Sequence, residues 1–221
     1  MNNNNHKIAF FQTSLLSWFK TAGRHHFPWR KNGLTDFQIV IAEVLLQRTK
    51  AETVNNFYPQ FIITFPHWHW IASAEISTLE DHLKPIGLYR QRAKRIKALA
   101  LQMVRLNGQL PSQRIDLEHI PLLGQYIVNA IQLQVFGVPA PLLDVNMARV
   151  LERFFGERKM ADIRYDPYLQ KLADQVVAHS FAKEINWAIL DFAALVCKAR
   201  KPLCEKCILA SHCTFYRKVL N

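Results

Sequence analysis

Several features are scarce or missing in this sequence, and each one argues against a class of protein. No apolar run approaches the roughly 18 residues that cross a bilayer, so we expect no membrane contact. Only seven glycines occur, and none of them forms a phosphate-binding loop motif. Alternating apolar and polar stretches joined by hairpin dipeptides are also missing, which argues against a β-sheet protein.

Acidic residues are outnumbered as well. The 221 residues include 17 Asp and Glu against 28 Lys and Arg, which gives a net charge of +11. Because half of the residues are hydrophobic, we expect a globular protein with a sizeable core. The positive charge favours a polyanionic partner such as nucleic acid. The first residues lack the pattern of a signal peptide, so a cytoplasmic protein is expected.

Apolar residues recur at three- and four-residue spacing along most of the chain, which is typical of helices. Glycines close most of these stretches, and Pro59, Pro66 and Pro85 are predicted to mark first turns or breaks. The sequence therefore predicts an all-α fold. The apolar stripes are Phe37/Ile41/Val44/Leu45, Tyr58/Phe61/Ile62/Phe65, Ala93/Ile96/Leu99/Ala100/Met103/Val104, Met147/Val150/Leu151/Phe154/Phe155 and Trp187/Leu190/Ala194/Leu195.

All four cysteines fall within the last 25 residues of the chain, at positions Cys197, Cys204, Cys207 and Cys213. In a reducing compartment such a cluster indicates a metal site rather than two disulfides. A Cys-x2-Cys pair flanked by wider gaps is compatible with zinc and with an iron–sulfur cluster, so spacing alone leaves both open.

Two further features of the sequence are able to support chemistry. The segment 120–126 joins two predicted helices by a tight turn, and a helix N-terminus presented in this way offers backbone amides to a phosphate. An ordinary helix–helix connection explains the same residues equally well. Eighteen residues after Tyr126, Asp144 precedes a helix predicted to begin at Val145. Asp is a favoured N-cap, and charge arithmetic does not separate a capping role from a catalytic one.

Together, the hairpin, the Asp that follows it and the spacing Cys-x6-Cys-x2-Cys-x5-Cys resemble the endonuclease III superfamily of DNA base-excision glycosylases. The resemblance runs from Phe27 to Cys213, and it is strongest toward the archaeal-type mismatch-specific thymine DNA glycosylases. It implies a two-lobed helix-hairpin-helix fold with a C-terminal iron–sulfur loop. One lobe would be a six-helix domain over 28–138; the other would combine 1–27 with 139–221, with the catalytic cleft between them.

The resemblance also assigns catalytic roles. Asp144 takes the place of the superfamily's catalytic Asp, which stabilises the cationic sugar formed as the base departs. Tyr126 stands where strand-nicking members carry a Lys; because Tyr cannot form an imine, we expect a monofunctional enzyme that leaves an abasic site. Glu43 corresponds to the general acid of the adenine-excising branch. Pyrimidines depart more easily than purines, so here Glu43 is expected to orient water or read the base edge.

Further residues are matched to DNA and cluster contacts. Gln47 and Leu88 correspond to the side chains that fill the gap left by an extruded base and wedge the opposite strand, and Arg48 is placed to join them. The hairpin residues Leu123, Gly124 and Gln125 are expected to grip phosphate. Members of the family carry a four-iron four-sulfur cluster, so the resemblance favours this cluster over zinc. The four cysteines are therefore expected to hold a [4Fe-4S] cluster beside basic residues that bind phosphate.

The sequence departs from the family pattern at two hairpin positions. Leu122 replaces the first Gly of the usual Leu-Pro-Gly-Val-Gly, which would cost about 1–2 kcal/mol if that position needs a positive φ. Ile127 stands where a Thr is usual, which removes one hydroxyl contact.

The resulting prediction is a monomeric glycosylase that removes thymine or uracil mispaired with guanine from double-stranded DNA, located at the nucleoid through its DNA. Two alternatives stay open. One is an adenine glycosylase acting opposite oxidised guanine, and the other is a non-catalytic DNA-binding or sensing iron–sulfur protein. A lyase that uses another Lys or the N-terminus is a weaker third.

Overall fold

The structure is a computed structural model that describes residues 3–220. Every regular element in that range is an α-helix or a short 3₁₀ turn, and it contains no strand, which confirms the all-α prediction. None of the described helices is long and apolar enough to cross a membrane. The chain divides into two compact units, one formed by His25–Gly137 and the other by the described residues up to Arg24 and from Val138 onward.

The unit His25–Gly137 contains seven helices packed around one apolar core. They are α2 (Asp36–Leu46), α3 (Ala51–Thr64), α4 (Trp68–Ser73), α5 (Ile76–Leu83), α6 (Tyr89–Arg105), α7 (Arg114–Glu118) and α8 (Gln125–Gln134). Helix α6 packs against α4 and α5, whereas α2 packs against α3 and α8. The predicted stripes of α2, α3 and α6 face this core, except for Val104 on α6, which is exposed.

Helix α2 shows how the local sequence sets an element. The Thr35 hydroxyl accepts a hydrogen bond from the Gln38 amide, and the Gln38 side chain accepts one from the Thr35 amide, which forms a capping box at the N-terminus. Val40, Ile41 and Leu45 are completely buried. Each such side chain contributes about 1.5–3 kcal/mol relative to exposure, so the buried face fixes the helix on the core.

Pro59 was expected to begin or break a helix, and this prediction is wrong. Helix α3 runs without interruption from Ala51 to Thr64 with Pro59 inside it. The Pro59 ring is exposed. Because proline has no amide hydrogen, the carbonyl four residues before it has no donor within the helix, and water can hydrate it there. Buried Val54, Tyr58 and Phe61 hold the helix on both sides of the proline.

The other unit is built from five helices: α1 (Asn3–Ala22), α9 (Val145–Phe155), α10 (Pro167–Val177), α11 (Ala182–Leu195) and α12 (Thr214–Leu220). Helix α9 contacts α10, α11 and α12, and α1 packs against α11. The fully buried Asp191 of α11 binds the Arg24 guanidinium at the end of α1, with Nε and Oδ1 2.8 Å apart. This ion pair fixes the first helix to the unit.

The predicted helix through Trp187 is present as α11, but its most buried face is not the stripe noted in the sequence. Ile185, Ile189 and Phe192 are buried, whereas Ala194 and Leu195 are exposed. Helix α11 is apolar on several sides, so helical periodicity identifies the element without selecting the face that packs inward.

Candidate active site

A strained turn joins α7 to α8. Leu122 adopts the left-handed region with φ of 76°, at the position where the family pattern has glycine, so the strain of about 1–2 kcal/mol applies. The Gly124 amide donates to the Leu122 carbonyl over 2.9 Å. Gly124 precedes α8, and no side chain caps that helix. The N-terminus of α8 is therefore suited to receive an anion such as phosphate.

The two departures in this hairpin have a packing explanation. The Leu122 side chain packs against the core of its unit, which offsets part of the backbone strain. Ile127 is completely buried, so its side chain points into the same core rather than toward a ligand. Leu123 is buried as well, whereas Gly124 is exposed. The side chains of Leu122, Leu123 and Ile127 therefore pack in the core, and the backbone amides are the polar groups that this turn presents at the surface.

Glu43 and Tyr126 lie together in the unit His25–Gly137. Glu43 is 4% exposed on α2, and its Oε1 accepts a hydrogen bond of 2.6 Å from Gln134 Nε2 on α8. Burial raises the pKa of Glu43, and hydrogen bonding by Gln134 and Tyr126 offsets only part of that rise. The Arg30 charge acts in the same lowering direction. Glu43 Oε2 is buried without a hydrogen-bond partner in the described chain, an arrangement typical of a functional carboxyl.

The raised pKa makes a prediction for stability. The folded protein binds the Glu43 proton more tightly than the unfolded chain does. The free energy of unfolding of the wild type therefore falls as the pH rises from 4.5, the usual pKa of a Glu side chain, through the raised pKa of Glu43. Glu43→Gln is neutral at every pH. Its melting temperature should therefore rise relative to wild type across that window and then level off, as thermal unfolding at a series of pH values would show. The exposed Glu75→Gln is the matched control, and a pH-independent difference for Glu43→Gln would contradict the assignment.

Asp144 belongs to the other unit and caps α9. Its Oδ1 accepts hydrogen bonds from the amides of Asn146 and Met147, at 2.9 and 2.8 Å. Its Oδ2 accepts from Asn146 Nδ2 at 2.6 Å. The half-buried carboxylate therefore has three donors and sits at the positive end of the helix dipole. Capping and catalysis do not exclude each other, because the cap itself fixes an anionic group.

Two residues that the sequence analysis missed extend this arrangement. Arg149, one turn further along α9, donates from Nη1 to Asn146 Oδ1 over 3.1 Å. Its Nε donates to the Cys197 carbonyl over 3.0 Å, and its Nη2 to the Ala193 carbonyl over 3.0 Å. A continuous chain of hydrogen bonds thus leads from the Asp144 carboxylate to the backbone of the first cysteine. The i, i+3 spacing of Asn146 and Arg149 behind a capping Asp was the available signal.

The residues matched to DNA insertion lie on two loops of the unit His25–Gly137. Gln47 ends α2 and is half-buried, and the exposed Arg48 follows with φ of 58°. Leu88 precedes α6 with φ of 53° and is 52% exposed. Left-handed backbone is rare for residues other than glycine, and a large apolar side chain in water is unfavourable. The exposure of Leu88 excludes an ordinary core role for it.

The four cysteines Cys197, Cys204, Cys207 and Cys213 line one small cavity, together with Arg153 and Phe215. Four thiols that share one cavity are a donor set for either a zinc ion or an iron–sulfur cluster.

The chemistry of the thiols and their surroundings also suits a cluster. Burial raises the pKa of Cys207 to about 11, and a bound metal overrides this because coordinating thiols are deprotonated. Arg153 Nη1 lies 3.5 Å from Cys197 Sγ and donates to the Lys198 carbonyl over 2.8 Å. A guanidinium beside the sulfurs offsets the negative charge that four thiolates bring.

Two family models match the chain. One, described as HhH-GPD superfamily base excision DNA repair protein, matches residues 41–175, which is more than half of the chain. The other, described as the iron-sulfur binding domain of endonuclease III, matches residues 197–213. The first range contains Glu43, Tyr126 and Asp144, and the second begins and ends at the outermost cysteines.

Individual proteins are similar over nearly their whole length. Thymine/uracil-DNA glycosylase of Pyrobaculum aerophilum is 35% identical over 213 residues, which cover 94% of this chain and 92% of that protein. Thymine-DNA glycosylase of Aeropyrum pernix is 34% identical, covering 95% and 96%. A solved structure of a thermostable thymine-DNA glycosylase superposes with a TM-score of 0.90 at 32% identity, covering 98% of this chain and all of the other.

Proposed function

The chain belongs to the HhH-GPD superfamily of base excision DNA repair proteins, and on this premise we propose that it is a monofunctional DNA glycosylase for thymine or uracil mispaired with guanine. The names of its relatives support this substrate class. We further propose that it acts as a monomer on mismatched double-stranded DNA at the nucleoid. The observation that carries the proposed chemistry is the carboxylate of Asp144, held by three hydrogen bonds.

Asp144 would stabilise the charge that develops during bond cleavage. As the N-glycosidic bond breaks, its electron pair leaves with the pyrimidine, and the sugar becomes oxocarbenium-like. A carboxylate fixed before the reaction lowers the barrier because no reorganisation is needed at the moment of charge development. Water then adds to the anomeric carbon, and its released proton balances the charge of the departing base. The product is an abasic site in an intact strand.

Tyr126 and Glu43 would act on the base and on water. Tyr126 offers a hydroxyl and a ring in place of an amine, so the Schiff base that leads to strand cleavage cannot form there. Glu43, with its raised pKa, would exchange a proton with the base edge or orient the attacking water. These roles would account for the buried hydrogen bond between Tyr126 and Glu43.

The exposed loops and the hairpin would supply the contacts with DNA. Leu88 would wedge the strand while Gln47 and Arg48 fill the gap left by the extruded base. The backbone amides around Gly124 would bind phosphate without reading sequence. Extrusion costs least at a mismatch, which provides selectivity before any bond is broken.

The chain is an iron–sulfur protein of the endonuclease III type. We propose Cys197, Cys204, Cys207 and Cys213 as the ligands of its [4Fe-4S] cluster. When bound, the cluster supplies cross-links to a segment that has little core of its own. The exposed Lys198, Arg200, Lys201 and Lys206 on this segment would then present a basic surface to phosphate.

A panel of duplexes tests the proposal. Purified protein is incubated with thymine or uracil opposite guanine, with adenine opposite oxidised guanine, and with fully paired controls, and products are resolved with and without alkali. We expect strand breaks at thymine and uracil only after alkali. Breaks without alkali would reject the monofunctional reaction, and complete inactivity would favour the non-catalytic alternative.

Adenine excision remains the second candidate because of one observation. A purine leaves poorly unless it is protonated, and a buried carboxyl with a raised pKa such as Glu43 suits that task. The branch pattern at position 126 argues the other way, since adenine glycosylases usually carry a small hydroxyl residue there. Release of adenine alone in the same panel would favour this candidate.

Asn146 provides a prediction for the reaction. Asn146→Asp keeps an oxygen that accepts from Arg149 but removes the donor to Asp144 Oδ2 and places a second negative charge beside it. Repulsion between two carboxylates disfavours the ionised form that the reaction needs. Single-turnover base release should therefore slow by about tenfold or more, with near-normal thermal stability.

Asn146→Ala separates the two functions of this residue. The alanine variant loses both the bond to Asp144 and the bond to Arg149, and it adds no charge. If Asn146 served only to hold Arg149, the aspartate variant would be fully active and the alanine variant impaired, which would contradict the assignment.

A further inference from the structure

Arg92 is a buried cation without an assigned role. It lies near the start of α6 with 7% of its surface exposed. Its guanidinium donates four hydrogen bonds around the end of α2, all to neutral oxygens. These are the carbonyls of Val44 at 3.1 Å, Leu45 at 3.4 Å and Gln47 at 3.2 Å, and the Thr49 hydroxyl at 3.0 Å.

The location explains why a charge is tolerated there. The last carbonyls of a helix have no intrahelical donors, and they carry the negative end of the helix dipole. A planar guanidinium can satisfy several such oxygens at once, whereas an ammonium group acts as one point charge. Arg92 therefore caps α2 from a different helix.

The same residue also holds the loop before α6. Its Nε donates to the Gly87 carbonyl over 3.4 Å. The guanidinium is thus bonded to both loops that carry the exposed, left-handed residues Arg48 and Leu88. Both strained turns lie within a few residues of its hydrogen bonds.

We propose that Arg92 is a positioning residue that holds the gap-filling loop at Gln47 and the wedge loop at Leu88 in one fixed geometry. This inference rests on the proposed function, because it assumes that both loops enter DNA. Two loops that are already ordered relative to each other avoid the loss of conformational freedom on binding. Arg92 itself touches neither the extruded base nor the sugar.

Two substitutions and one control test this role. Arg92→Met removes the charge and the hydrogen bonds. Arg92→Lys keeps the charge at the end of α2 but cannot bond both loops. It therefore tests the same role if the methionine variant does not fold. Arg95→Met removes an exposed guanidinium from the same helix and controls for lost charge.

Two readouts separate positioning from a general structural effect. The first compares base release from a thymine–guanine mismatch with release of thymine placed opposite an abasic-site analogue, where no pair has to be broken. The second uses 2-aminopurine next to the target, whose fluorescence rises when the wedge unstacks it. Thermal unfolding confirms that each variant is folded.

We expect Arg92→Lys to slow release from the mismatch by about tenfold or more, by a clearly smaller factor from the unpaired target, and to lose most of the fluorescence rise. Arg95→Met should keep the wild-type ratio. Equal slowing on both duplexes, or an unchanged fluorescence rise, would overturn the inference. If wild type released no base, the proposed function would fail, and the fluorescence comparison would still decide the role of Arg92.

Discussion

Replacing Asp144 with asparagine is expected to slow base release by at least about 10²–10³-fold, the loss typical of removing one preorganised electrostatic group. Asparagine caps helices as well as aspartate does, so the amides of Asn146 and Met147 keep an acceptor and α9 keeps its N-terminus. The substitution removes the negative charge and the second acceptor oxygen, to which Asn146 Nδ2 donates. Single-turnover release, duplex affinity and thermal unfolding, measured on the same preparation, separate chemistry from folding.

Asp166 offers a matched control in the same unit. It caps α10, accepts hydrogen bonds from the amides of Lys159, Met160 and Leu169, and is buried. Asp166→Asn should lower the melting temperature while each folded molecule releases base at the normal rate. Near-normal release by Asp144→Asn would reject Asp144 as the stabilising carboxylate and leave it as a cap.

The second large effect is expected at the cysteine loop. Leu209 is the only buried residue between Cys197 and Cys213, and two single 3₁₀ turns are the only regular structure there. The loop has almost no core, so cluster bonds would supply most of its order. Cys207→Ala should lose most bound iron and the visible absorption of the cluster, and about 4 kcal/mol of stability.

Ser211→Ala is the control for this substitution. Ser211 is exposed in the same loop and bonds only its neighbour His212 in the described chain. Iron content, absorption and melting temperature should stay at wild-type values. Full retention of iron and absorption by Cys207→Ala would show that Cys207 is not a ligand.

Most of the helices were predictable because a helix buried on one face has apolar residues at three- and four-residue spacing. Met147, Val150, Leu151 and Phe154 of the predicted stripe are buried on α9, and Asp144 precedes the helix as a cap, as expected. Periodicity failed where burial is not one-sided, as in α11. At Pro59 periodicity predicted the helix correctly, and the expectation of a break failed because packing of the neighbouring residues outweighs the helix-breaking tendency of proline.

The candidate site was predictable to the extent that single residues carry it. Asp144, Tyr126 and Glu43 are candidates from matched positions, and their roles stay predictions. The strain at Leu122 followed from a missing glycine, and its positive φ confirms it. Arg92, Asn146 and Arg149 did not follow, because their roles depend on partners that folding brings near. Arg92, for example, binds the Val44 carbonyl 48 positions away in the chain. From the sequence alone, an Arg in a helix is expected to lie on the surface.

The most direct measurement is the mass of the DNA strand after one turnover on a thymine–guanine duplex. We expect a strand of full length that has lost thymine and gained the elements of water, with no enzyme–DNA adduct trapped by borohydride. A cleaved strand, a trapped adduct or an unchanged strand would contradict it.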